Sequence, residues 1–451
     1  MEMIMDINKD RVILPYQHIS QKALLSFLLG FTFLFMIVAF YFNSFEEIVN
    51  GQFKILTSPS NLTTDYFALT NVGATFFNSG ILMLHSLVLI KMTKARINGP
   101  LIAAFFTVAA FSFFGKNLYN SMPIVLGAFS YAWVTKVSAK KSLLAALFGT
   151  ALGPLVNEIT FNIGMPVIMG VLLGNIAGFI AGFILPPLAH HFVGFTKGFS
   201  LYNIGFSSGV VGTIFTSILR ATGVEIEPVS LLSRGYNVPL AIFFILLFVS
   251  LLVYGLYQNN WSFKGYGSIT KHSGQLSTDF LEKTGFSLTL INMALLGLVA
   301  TTFVLVLGGE LNGPTVGGIL TVVGFGAFGK HLKNVLPILL GVILIGYINS
   351  YDMSATSVII AGLFGTTVAP IAGRYGYFMG MVAGGLHLTV VSNTSYLHGG
   401  INLYNNGFAG GFVAALMIPL LEAVHYHRAQ RRELREPVDP AEEIELEKEK
   451  S

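Results

Sequence analysis

Fourteen continuously apolar stretches joined by short polar connections limit what this chain can fold into more than any other feature. They lie at roughly 21–43, 67–90, 101–115, 121–135, 142–157, 164–187, 198–219, 237–257, 285–307, 314–328, 335–349, 354–372, 377–396 and 406–423. Such runs suit helices that cross a hydrocarbon core about 30 Å thick, at about 20 residues per crossing. They show no two-residue alternation, which argues against a barrel. A soluble chain would need about a quarter of its residues charged to cover its core. Here 11% are charged and 53% hydrophobic over 451 residues, with a mean hydropathy of +0.69. The chain reads as an all-α polytopic integral membrane protein. Four stretches (101–115, 121–135, 314–328 and 335–349) hold only about 15 residues. They are expected to be tilted crossings or re-entrant hairpins, so the count is about 14 crossing or re-entrant helices.

Lys and Arg set the orientation. Arg428, Arg431, Arg432 and Arg435 follow the last stretch and place that end in the cytoplasm. Fourteen crossings put the N-terminus there too. Lys91, Lys94, Arg96, Lys136, Lys140, Lys141, Lys197, Lys264, Lys271, Lys283, Lys330, Lys333 and Arg374 then fall on the inner side. Lys54, Lys116, Arg220 and Arg234 are exceptions. The expected location is the inner (plasma) membrane. The first stretch is too long for a signal-peptide core and reads as a first span. The net charge of +4 carries no basic stripe of the kind nucleic acid needs. Cysteine is absent, which excludes disulfides and thiolate chemistry.

The most informative pattern is an internal repeat. Residues 98–127 and 312–341 agree at 15 of 30 positions without a gap. The shared residues include Asn98/Asn312, Pro100/Pro314, Gly115/Gly329, Lys116/Lys330, Asn120/Asn334 and Pro123/Pro337. Phe148-Gly149-Thr150 and Pro154 recur as Phe364-Gly365-Thr366 and Pro370. Leu201-Tyr202-Asn203-Ile204-Gly205-Phe206 recurs as Leu403-Tyr404-Asn405-Asn406-Gly407-Phe408. Matching stretches are seven apart, an odd number, so the second copy is expected to run through the membrane in the opposite direction. Two inverted-topology repeats are a transporter and channel architecture, with the path at the repeat interface. The expected division is a cytoplasmic N-terminal segment (1–20), a first membrane repeat (21–257), a cytoplasmic linker (258–284), a second membrane repeat (285–424) and a charged, disordered cytoplasmic tail (425–451).

Several residues stand out as lining a substrate path. Pro154 and Pro370 interrupt equivalent helices, and each frees a carbonyl one turn back. Tyr202-Asn203 and Tyr404-Asn405 begin equivalent elements, and each asparagine offers a donor and an acceptor, although capping or bridging helices is the plainer use. Asn71 and Asn78 lie in a weaker string of the same kind. Glu158 and His387 are ionisable groups inside apolar stretches, where function is the first hypothesis. A neutral, hydrogen-bonded histidine is the plainer reading of His387. Lys116 and Lys330 are a matched pair of cations that either draw an anion into a vestibule or snorkel to headgroups. No metal-ligand spacing and no nucleotide motif is present, and no cofactor is expected.

The chain from about 20 to 425 resembles a family of uncharacterised bacterial multi-pass membrane proteins classed as a domain of unknown function, best in Leu403-Tyr404-Asn405-Asn406-Gly407-Phe408-Ala409-Gly410-Gly411. A more distant architectural likeness is to urea channels, which are also two inverted halves, each with an aromatic–Asn–small string. Those proteins have about five crossings per half, against seven here, and their Leu-Pro-x-x-Thr type of filter motif is missing, so the likeness is one of architecture alone. The expectation is a transporter or channel for a small polar solute or ion, not an enzyme. Its partners are the lipid bilayer and the solute, with no nucleic acid, and homo-oligomer formation is open. The alternatives are a membrane-embedded enzyme acting on lipid through His387 or Glu158, and a non-transporting scaffold or sensor.

Overall fold

The computed structural model describes residues 19–433, apart from Glu225 and residues 227–230. The N-terminal segment to residue 18, those loop residues, and the tail from 434 lie outside the described residues. The first half holds α1 (Gln21–Phe42), α2 (Phe45–Thr57), α3 (Tyr66–Leu69), α4 (Val72–Thr93), α5 (Gly99–Phe111), α6 (Leu118–Val134), α7 (Ala139–Gly149), α8 (Gly153–Phe161), α9 (Val167–Thr196) and α10 (Asn203–Ala221). The second holds α11 (Asn237–Gln258), α12 (Tyr266–Thr270), α13 (Phe280–Thr284), α14 (Phe286–Val306), α15 (Gly313–Gly324), α16 (Leu332–Ile348), α17 (Thr356–Gly365), α18 (Ala369–Tyr375), α19 (Tyr377–Thr394) and α20 (Asn405–Glu433).

Each of the fourteen apolar stretches is helical. Among the described residues, nine helices are long and apolar enough to cross a membrane. Helices α5 and α16, and α15 with the turn that extends it, are apolar but shorter. In α5 and α15 the short length goes with deep burial, because nearly every side chain of both is enclosed by protein. They pack against each other in opposite directions. Gly99, opening α5, sits against the Ala327 carbonyl beyond the end of α15, and Gly313, opening α15, sits against the Phe113 carbonyl beyond the end of α5.

Packing repeats between the halves. Helix α1 lies on α4 as α11 lies on α14, and α6 lies on α9 as α16 lies on α19. Gly127 presses on the Phe179 backbone and Gly182 on that of Ile124. Gly341 and Gly384 do the same with Met381 and Ile338. Small residues of this kind let helix backbones approach closely in lipid. Across the halves, Gly209 receives the Phe408 ring and Gly411 receives the Phe206 ring.

Three features add to the sequence reading. First, the stretch 258–284 holds two short helices, α12 and α13, and carries Asp279. Second, Pro154 and Pro370 do mark breaks in their spans, but as helix restarts rather than kinks. Each stands in the first two positions of α8 or α18, just after a 3-10 turn at Thr150–Leu152 or Thr366–Val368. Proline is well suited there because its missing N–H is not needed. Third, 45–57 is a helix, not a connection. Ser44 and Glu47 form a capping box, and Phe45, Val49 and Phe53 are exposed, as on a helix lying at a membrane surface.

The buried helix starts need hydrogen-bond acceptors. The Gly99 amide donates to Asp279 Oδ2 at 3.0 Å, and the Gly313 amide donates to Asp65. Each carboxylate therefore caps a helix of the other half. Burial pushes both carboxyls above the usual aspartate range, with the donated hydrogen bonds opposing it. Replacing Asp279 by Ala is expected to destabilise the fold by about 1–2 kcal/mol, and Asp279→Asn by less, read as apparent melting midpoints in detergent. Gly127→Leu and Gly341→Leu are expected to abolish a monodisperse size-exclusion peak. Gly194→Leu, in α9 with open space beside it, is expected to retain one.

Candidate functional site

Six aromatic rings meet where the halves meet. Tyr202 and Phe325 have centroids 4.7 Å apart, and Tyr404 and Phe111 4.6 Å. Phe148 lies 5.9 Å from Phe325, and Phe364 lies 5.8 Å from Phe111. Phe148 is 6.1 Å from Tyr404, and Phe364 is 6.4 Å from Tyr202. The two tyrosines face each other at 5.1 Å across the centre. Every ring contact of one half thus has its partner in the other.

A lysine stands behind the cluster in each half. Lys116 is 1% exposed and Lys330 is 0% exposed. They do not snorkel to headgroups, because their backbones lie at breaks inside the bundle. Asn78 fixes the first break by donating to the Ser112 and Lys116 carbonyls at 2.7 and 3.0 Å. Asn292 fixes the second by donating to the Gly326 and Lys330 carbonyls, both at 2.7 Å. The ammonium groups reach the 3-10 turns of α7–α8 and α17–α18. Lys116 donates to Thr150 Oγ1 and Lys330 to Thr366 Oγ1. Lys330 alone also donates to the Tyr202 hydroxyl, with its Nζ 4.5 Å from the centre of that ring and 5.1 Å from that of Phe325. Among the described residues neither lysine has a carboxylate partner. An unpaired buried cation is costly.

A cavity of about 370 Å³ descends to the rings. Lys141 and His190 stand at its mouth, Leu144 and Val193 on its walls, and Phe148, Tyr202, Phe325 and Tyr404 at its floor. Asn203 also lines it. Its amide donates to the Ala189 carbonyl at 2.6 Å, while its buried Oδ1 has no partner.

The other sequence-derived residues divide plainly. Asn405 does not line the cavity. Its Oδ1 accepts from Thr394 Oγ1 and from His398 Nε2, each at 2.9 Å. It and Asn203 are not brought together as a pair, because each is held by the helix preceding its own. Asn71 caps α4 and ties it to α2 through the Glu47 carbonyl. Glu158, in α8, takes a bond from Asn162 at 2.6 Å, and its other oxygen has no partner. His387, in α19, bonds Asn406 Oδ1 at 3.0 Å. Glu158 and His387 make no contact, so no acid–base pair forms from them. Pro154 and Pro370 are the second residues of helices that follow directly on the turns that the lysines reach. Among the described residues, no three His, Asp or Glu side chains gather as a metal site.

Sequence reasoning missed Phe111, Phe325, Asn292, Thr150 and Thr366 as site residues. The repeat carried the signal: Asn78 and Asn292, like Lys116 and Lys330, are 214 positions apart.

No curated protein and no solved structure matches the chain, and the likeness to urea channels gains no support from them. One family matches over residues 44–221 and 258–423, which is most of the chain and takes in the lysines, the rings and both capping aspartates. The chain belongs to that family, the proteins of unknown function described as DUF1576.

Proposed function

We propose that this membrane protein is a transporter for a small polar solute or ion, with its path between two halves of inverted topology. The observation that carries the reading is a cavity that reaches a ring cluster to which both halves contribute. A conduit that serves two faces needs similar surfaces toward each, and an inverted repeat supplies them. The antiparallel α5–α15 pair and the ring contacts that recur between the halves favour that arrangement.

The two sides of the cluster differ in packing. Ile204 and Leu144 are half-buried along the cavity. Asn406, 202 positions after Ile204, is 2% exposed and bonded to His387. Ile360, 216 positions after Leu144, is fully packed. One half of a symmetric route is thus open and the other shut, as in a carrier resting in one of its two states. Counting Lys and Arg along the connections puts the open mouth, with Lys141 beside it, on the cytoplasmic side of the plasma membrane. Transport proceeds by exchanging the open and shut sides around Tyr202 and Tyr404.

The absence of cysteine makes the chain its own background for accessibility labelling. A cysteine at Ile204 is expected to react with a membrane-impermeant thiol reagent from the cytoplasmic face, while one at Ile360 stays protected in the resting protein. During solute flux in proteoliposomes the first is expected to slow and the second to quicken. Simultaneous reaction of both from opposite faces would show an open channel. Absence of flux for every small solute and ion in a screen, with lipid turnover instead, would overturn the proposal in favour of an enzyme.

A further inference from the structure

We infer that the cavity binds a monovalent organic anion with an apolar body, with its charge directed at the Lys330–Tyr202 pair. This rests on reading the cavity as the solute route, but concerns what it holds rather than how it moves. No Asp or Glu lines the cavity, and the formal charge at its wall is that of Lys141. Beneath its floor, Lys330 is enclosed without a carboxylate. An ammonium has three donors, and Lys330 spends two on Tyr202 and Thr366. Tyr202 lines the floor, and its hydroxyl accepts from Lys330 behind it. A carboxylate on the floor would lie against Tyr202 with the Lys330 cation behind it, and charge-assisted bonds are the stronger kind.

Most of the remaining wall is apolar, with Leu144, Val193, Leu201 and Phe148, and Asn203 and His190 are its polar exceptions. The apolar part solvates a hydrocarbon body and leaves few partners for a polyanion or a sugar. The volume is near the lower end of small-molecule pockets, about 300 Å³ and upward. Aromatic floors often recruit cations through ring faces. Here Tyr202 and Phe325 already have the Lys330 ammonium as their cation. A second cation would meet repulsion where the first is held.

Three probes of one shape and different charge test this: benzoate, benzamide and benzylammonium, added to the purified full chain in detergent. Benzoate is expected to raise the melting midpoint with saturation, benzamide to do so weakly, and benzylammonium not at all. Lys330→Met is expected to weaken benzoate binding by about 10- to 100-fold, the loss of one charged hydrogen bond. Lys330→Arg is expected to retain the preference for the anion. If Lys330→Met does not fold, the ranking of the three probes on the unaltered protein and on Lys330→Arg decides. Equal responses, preference for benzylammonium, or no response to any probe would overturn the inference. Benzoate binding without flux of any solute would sink the transport reading and leave this one standing. Cation flux without benzoate binding would do the reverse.

Discussion

Two helices, α5 and α15, begin with buried glycine amides that need acceptors from the protein. That constraint organises the rest. An apolar bundle can bury side chains freely, but a buried helix start leaves donors that must be met by a built acceptor. Asp279 and Asp65 supply it at Gly99 and Gly313, and each reaches from the opposite half. The extended segments that hold these aspartates pair with Phe328 and Phe114 just beyond the helix ends. From there the chain turns through Lys330 and Lys116, whose carbonyls are clasped by Asn292 and Asn78. The lysine side chains then reach the breaks of the neighbouring helices. Caps, breaks and cations form one continuous polar spine inside an apolar body.

The spine explains why the ring cluster is where it is. Phe111 and Phe325 end the buried helices or begin their terminal turns, Phe148 and Phe364 precede the threonine turns, and the tyrosines precede α10 and α20. All six sit where a helix stops or starts. A cluster built at ends can shift with small changes in helix tilt, whereas one built at helix centres would have to repack the whole interface. The observed difference between Lys330, bonded to Tyr202, and Lys116, bonded to Thr150 without a tyrosine, is a difference of this small kind.

The helices were legible because hydrocarbon leaves little choice of composition: a run such as 237–257 has no alternative to a helix. The repeat was legible because Asn-Gly-Pro and Phe-Gly-Lys survive in order. Partnership was not legible. Lys330 and Tyr202 are 128 residues apart, and nothing local to either announces the other. Lys116 and Lys330 read equally as surface cations, because a glycine before a lysine describes a turn whether it lies in solvent or in a core. Pro154 read as an interruption of its span, but sequence does not show that a 3-10 turn makes the break and that the helix restarts at the proline. The asparagines after the tyrosines were identified as a pair by their motif, yet Asn405 is consumed by Thr394 and His398 while Asn203 borders the cavity. Sequence symmetry located the element, and departure from symmetry decided its use.

Crosswise capping has a consequence for how the halves are held. Each aspartate starts a short helix of its own half, Asp65 at α3 and Asp279 at α13. The same carboxylate also takes the first amide of the buried helix of the other half. One side chain therefore pins two helix starts at once, and sliding one half against the other would loosen a cap in both.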